Sequence, residues 1–107
     1  MHKRIMFRCM AHSKAIEDYI SNKVTKLYKF FKRQSSPISI DIILEPHRGK
    51  KIYKVACVIH SSLYHINMQS QGMDMYMVID EIMKKIIKDI VRKKEKNGRD
   101  FHLSYAA

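Results

Sequence analysis

Cysteine and proline occur only twice each in these 107 residues and glycine three times, while 10 aspartates and glutamates face 21 lysines and arginines. Cys9 and Cys57 stand apart inside apolar, strand-like runs rather than in a Cys-x-x-Cys pair. They therefore read as small buried hydrophobes, with neither a disulfide framework nor a zinc motif indicated. Six histidines, His2, His12, His47, His60, His65 and His102, are scattered without metal-ligand spacing. His60 and His65 can meet across a hairpin, but exposed strand histidines are the plainer account. No glycine-rich phosphate loop is present, Asp41 and Glu45 read as outward strand carboxylates, and no Cys, His and acid are grouped as a nucleophile would require. An enzyme is not expected, nor a cofactor, a metal or a small-molecule substrate. No run approaches the roughly 18 to 20 apolar residues that span a bilayer. The start Met1-His2-Lys3-Arg4-Ile5 lacks a signal-peptide core. A cytoplasmic protein with no membrane partner is the expectation.

What is abundant is positive charge. A formal net charge of +11 costs self-repulsion in one small domain unless an anionic partner offsets it, and nucleic acid is the leading candidate. The length suits a single two-layer core.

The chain alternates from residue 3 to 9, with Ile5, Phe7 and Cys9 on one side and Arg4, Met6 and Arg8 on the other, which predicts a half-buried strand. Ser13 stands at a helix N-cap position, and Ile16, Ile20, Val24, Leu27 and Phe31 recur at three- and four-residue steps, predicting a helix over 14–32. Gln34-Ser35-Ser36-Pro37 stops it. Inward rows Ile38, Ile40, Ile42 and Leu44, then Tyr53, Val55, Cys57 and Ile59, then Tyr64, Ile66 and Met68 predict three further strands joined by short turns. Gly72 suits a close strand-to-helix approach, Asp74 a cap, and Met75, Ile79, Ile82, Met83, Ile86 and Ile90 fall on one arc of a second helix. The order is β-α-β-β-β-α, an α+β class. A four-stranded sheet carries both helices on one face, its first two strands parallel and the later three an antiparallel meander. Met6, Ile43, Ile52 and Val58 leave a modest apolar patch on the other face.

Opposite its core arc the second helix carries Lys84, Lys85, Lys88, Arg92 and Lys96, with Glu81, Asp89 and Glu95 in partial compensation. The first helix adds Lys26, Lys29 and Arg33 along one flank, with Lys23 and Lys32 nearby. A solvated charged face on an amphipathic helix is the bland account of each stripe. If both helices lie on one sheet face, however, the stripes merge into a surface suited to polyphosphate, which positions strongly and reads sequence poorly. Tyr28 and Tyr76 are candidates for stacking on unpaired bases, Tyr76 being equally suited to packing at its helix start. Tyr19 reads as core or rim.

Several segments carry a resemblance: Ser13-x-Ala15-Ile16, Lys23-x-x-Lys26-Leu27 before Phe30-Phe31, Gly72-x-Asp74-Met75-Tyr76-x-x-Ile79-Asp80, and the Lys85, Lys88, Arg92, Lys94, Lys96 tail of the last helix. Over residues 3 to 96 the chain resembles the ribosome hibernation-promoting factor family, also called the sigma-54 modulation protein family, in its short form. The resemblance implies a fold like the double-stranded-RNA-binding domain with an extra first strand. It also implies a stationary-phase or stress role: lodging in the messenger and transfer RNA path of the small ribosomal subunit, contacting ribosomal RNA through both helices, and silencing translation by occlusion. Lys23, Lys26, Lys85, Lys88, Arg92, Lys94 and Lys96 would then grip ribosomal RNA phosphates. Residues 1–96 form the expected binding domain, and 97–107, following an Asn-Gly helix stop, a disordered tail. Because the chain lacks the second domain of the long forms, ribosome pairing would need a second factor. The tail is not the acidic extension of the ribosome-inactivating subtype that opposes pairing. A free RNA chaperone or duplex binder, and an adaptor for an acidic protein, are the alternative readings.

Overall fold

Hydrophobic periodicities of two and of three to four residues organise the chain into β1 (His2–Phe7), α1 (Lys14–Tyr28), β2 (Ser39–Pro46), β3 (Tyr53–His60), β4 (His65–Gly72) and α2 (Met75–Ala106) in the computed structural model. The structure describes residues 2–29, 37–47, 49–61 and 64–106, with side chains described up to residue 93. The predicted order and α+β class hold. One four-stranded sheet runs β1-β2-β3-β4. β1 is parallel to β2 across the α1 crossover, and the two later pairs are antiparallel.

Register turns the period-two pattern into layers. Ile5, Ile42, Cys57 and Met68 form one row across the sheet, and Lys3, Ile40, Ile59 and Ile66 the next. These rows meet Ile20, Val24 and Leu27 of α1 and Ile79, Ile82, Ile86 and Ile90 of α2 in one core, so both helices cover the same face. Each fully buried isoleucine contributes roughly 1.5 to 3 kcal/mol relative to exposure, which makes this layer the main source of stability. Lys3, inward at the sheet edge, keeps its amine in reach of water and donates to Ser21 Oγ at 2.9 Å. Cys57 is buried within it, and burial first, then Asp41, pushes its thiol up to about 12, so it is inert as a nucleophile at neutral pH.

The open face places Arg4 beside Asp41, their charged groups 3.3 Å apart, with Met6, Ile43, Ala56 and Val58 half-buried around them. Gly49 takes the left-handed conformation (φ 74°) in the β2–β3 turn.

Three expectations are corrected. Cys9 does not extend the first strand: the ladder closes with Arg8 N–H donating to Leu44 O at 2.8 Å, and Cys9 then turns at φ 55°, exposed, to send the chain over to the helix face. α1 spans Lys14–Tyr28 with Lys29 at its C-cap; Phe30, Phe31 and Lys32 of the expected helix, and Arg33 after it, lie outside the described residues. Val78, missing from the predicted arc, is buried because the first turn of α2 presses directly on Gly72 at the end of β4. The backbone of α2 is helical through Asn97 and Gly98, where a stop was expected. One interior glycine costs only about 1 kcal/mol against alanine, less than a helix already nucleated over many turns can absorb.

Candidate nucleic-acid interface

The two helices meet along a seam that local sequence chemistry sets up. Ser13 caps α1, its hydroxyl accepting from Ile16 N–H at 3.3 Å. Asp74 caps α2, accepting from Tyr76 N–H at 2.9 Å and Met77 N–H at 3.5 Å. With their starts fixed, Tyr19 and Lys23 on α1, four residues apart, share a flank, as do Tyr76 and Asp80 on α2.

Tyr19 donates its hydroxyl to Asp80 Oδ1 at 2.5 Å, and Lys23 Nζ lies 3.2 Å from the same oxygen. The Tyr19 and Tyr76 rings meet edge to face with centroids 4.9 Å apart, and the Lys23 ammonium sits 5.3 Å from the Tyr19 ring centroid. The Tyr19 hydrogen bond, opposed by burial and supported by Lys23, holds the Asp80 carboxyl below its usual range. Reciprocally, Asp80 raises the pKa of Tyr19 and of Lys23. Contacts advance in step, Tyr19 with Tyr76 and Lys23 with Asp80, so the helices run in the same sense along the seam. The next turn carries Lys26 on α1 and Lys84 on α2, both exposed.

The predicted cations divide into two sets. Lys23 is held by Asp80, Lys85 by Glu81 at 3.3 Å and Arg92 by Asp89 at 2.9 Å. Burial works most strongly on Asp89, raising its pKa, yet Arg92 and Lys93 together outweigh it and leave that carboxyl below its usual range. Lys85 also donates to Ser70 Oγ at 3.1 Å; Ser70 is the one buried polar residue on the inward rows among the described residues, so this lysine partly serves the fold. Lys26, Lys29, Lys84 and Lys88 are exposed and pair with no carboxylate among the described residues. The ion pairs that occupy the other cations are themselves solvent-exposed for the most part, and such pairs are worth only about 0 to 1 kcal/mol, so a phosphate can displace them. Arg33 lies outside the described residues, as do the side chains of Lys94 and Lys96.

Tyr76 keeps 40% of its surface exposed and Tyr28 42%, so both retain a face for stacking while Tyr76 also packs on Tyr19. Sequence reasoning missed Met73 and Met77. They are 78% and 68% exposed and, with Gly72, Asp74, Glu81 and Lys84, line a shallow groove beside the α2 N-terminus. The signal lay in the wheel: Met77 projects onto the cationic side of α2, away from the core arc. Asp80, omitted from the acids expected to compensate the stripe, is the residue that binds the helices together.

Among the described residues no helix is long and apolar enough to cross a membrane. No group of three or more His, Cys, Asp or Glu side chains there is placed to hold a metal.

Comparison with known proteins gives concordant matches. Residues 4–97 match the model of a family described as sigma 54 modulation protein / S30EA ribosomal protein. The chain is similar to a ribosome hibernation promoting factor of Azotobacter vinelandii, 27% identical over 82 residues that make up 77% of this chain and 72% of the relative. Its fold is that of the Thermus thermophilus Protein Y N-terminal domain, with TM-score 0.73 at 17% identity over 86% of this chain and 98% of that one. A ribosomal subunit interface protein from Coxiella burnetii superposes with TM-score 0.70 at 20% identity, covering 89% of this chain and 99% of that one.

Proposed function

Since the chain belongs to the sigma 54 modulation protein / S30EA ribosomal protein family, we propose that it is a ribosome-associated translation inhibitor that docks its helix face on ribosomal RNA of the small subunit. The observation that carries this reading is the seam: two latched helices cover one face of the sheet, and their Lys26, Lys29, Lys84 and Lys88 are exposed and in no ion pair among the described residues. In this reading Lys23, Lys85 and Arg92 join them by exchanging carboxylates for phosphates, Arg33, Lys94 and Lys96 extend the contact, and Tyr76 stacks on an unpaired base. The binding unit is residues 1–96. The protein occupies the messenger and transfer RNA path, in the cytoplasm, and promotes ribosome hibernation in stationary phase or stress, with a second factor assisting pairing. Inhibition is steric, with no bond made or broken and no cofactor. The name of the Azotobacter relative supports the hibernation role.

Sedimentation with purified ribosomes at physiological salt tests this. The protein should co-migrate with small subunits and whole ribosomes, and the variant Lys84→Glu with Lys88→Glu and Arg92→Glu should stay near the top of the gradient while its far-UV circular dichroism remains that of the folded domain. Wild-type protein that fails to co-migrate but binds naked RNA would instead identify a free RNA-binding module. Co-migration of the triple variant would move the contact off α2. Gradient profiles of starved cells with and without the protein then read pairing.

A further inference from the structure

The tip of the β3–β4 hairpin carries a feature that the helix face does not use. His60 and His65 are opposite one another in register, and both are exposed. Their rings lie 4.3 Å apart at 71°, with the two Nδ1 atoms separated by 3.1 Å. The neighbouring pair is tied by Ser61 N–H donating to Tyr64 O at 2.9 Å, so the histidines fall at the adjacent, closely spaced position of the ladder where opposite side chains approach most nearly. The base beneath is packed into the core. Ile59 and Ile66 are buried in the core, Tyr64 is 3% exposed, and Ser61 Oγ accepts from Tyr64 N–H at 3.0 Å.

We propose that His60 and His65 form a bidentate site for a divalent transition-metal ion such as zinc, on the sheet face away from the helices. A zinc ion about 2.0 to 2.1 Å from each of two imidazole nitrogens at the tetrahedral angle separates them by roughly 3.3 Å, close to the 3.1 Å between the Nδ1 atoms, and the rings, 4.3 Å apart at their centroids, splay to aim both lone pairs at the ion. Without metal, one ring donates its Nδ1 proton to the other. To bind, that ring carries its proton on Nε2, so the ion replaces one hydrogen bond and meets two neutral donors. Imidazole pairs favour zinc, copper and nickel over calcium or magnesium, which prefer oxygen. Among the described residues no third His, Cys, Asp or Glu completes a cluster, so water fills the remaining positions and the affinity is modest. The site lies on the face opposite the cationic seam, and it stands or falls independently of ribosome binding.

The test is a zinc titration of the full chain by calorimetry and by 15N spectra of the histidine rings. Saturable binding should shift the Nδ1 resonances of His60 and His65. It should be abolished by His60→Gln or His65→Gln alone and retained in His12→Gln, a control at another exposed histidine, which pairs with Glu17. Both site substitutions are at exposed positions, and unchanged melting in the presence of chelator confirms that the fold is intact. Persistence of binding in either single variant, its loss with His12→Gln, or metal shifts on Nε2 instead of Nδ1 would overturn the site.

Discussion

Asp80 gathers more of the molecule than its place on an exposed helix flank suggests, because one carboxylate takes a phenol and an ammonium from the other helix. A charge-assisted hydrogen bond is worth about 1.5 to 3 kcal/mol when shielded. With the Asp80 side chain 38% exposed, solvent screening reduces the expected cost of Asp80→Asn to about 1 kcal/mol. The pH dependence has a definite sign. Because the folded-state pKa lies below the unfolded value, the stabilisation is complete above the ordinary carboxylate range and fades only as pH falls through the lower folded value. The gap in melting temperature between wild type and Asp80→Asn should therefore be constant from about pH 5 to 8 and shrink as pH is taken below about 4. A gap that persists unchanged in strong acid would mean that the carboxylate's charge contributes nothing to the latch. The sequence displays Tyr19, Lys23, Tyr76 and Asp80 plainly, but their meeting depends on how the two helices lie over the sheet, which no local pattern states.

At the scale of elements, legibility follows periodicity. The inward rows of β2 and β3 and the core arc of α2 were readable because burying one face of a strand or helix leaves a period that the residues must satisfy. Ends were less readable. Cys9 continued an alternating pattern past the point where the ladder stops, since alternation does not reveal where the partner strand's last carbonyl lies. Val78 sits off the main arc and is buried only because a strand terminus abuts the first helical turn. Gly72 marks that place: a Cβ there would lie 3.0 Å from Val78 Cγ2. Two effects compete in Gly72→Ala. Alanine removes unfolded-state freedom worth about 0.4 to 1 kcal/mol, while forcing an atom into a packed contact typically costs 1 to 3 kcal/mol. Val78 is a buried, β-branched side chain with little room to turn, so the steric cost wins and a net loss of about 1 kcal/mol is expected. Chemical denaturation would show it, and the loss should diminish when Val78 is also changed to alanine, since the two sites share one contact. Additive costs would place the strain elsewhere.

For the whole molecule, the positions of the positive charges along the chain and their partial compensation by Glu81 and Asp89 were legible, while the contacts from other elements, Lys23 with Asp80 and Lys85 with Ser70, were not. Sequence spacing put Lys84, Lys85, Lys88 and Arg92 on one helix side with Glu81 and Asp89 to compensate, and these acids occupy Lys85 and Arg92 one turn on, while Ser70 also claims the Lys85 amine from the edge strand. The two kinds of cation should separate in the salt dependence of RNA binding. Each lysine that neutralises a phosphate releases condensed counterion and contributes about −0.7 to −0.9 to the log-log slope. Lys26, Lys29, Lys84 and Lys88 together then give about −3 to −4 for the wild-type chain on a ribosomal RNA fragment, and steeper values mean that paired cations have exchanged their carboxylates. Lys84→Gln or Lys88→Gln should each flatten the slope by about 1. Lys85→Gln, whose amine already has Glu81 and Ser70, should flatten it less and leave a buried hydroxyl without its donor. Equal flattening by all three would show that the intramolecular partners are surrendered without cost when RNA binds. No flattening by any of them would remove α2 from the contact and leave the net charge of the domain as the only attraction.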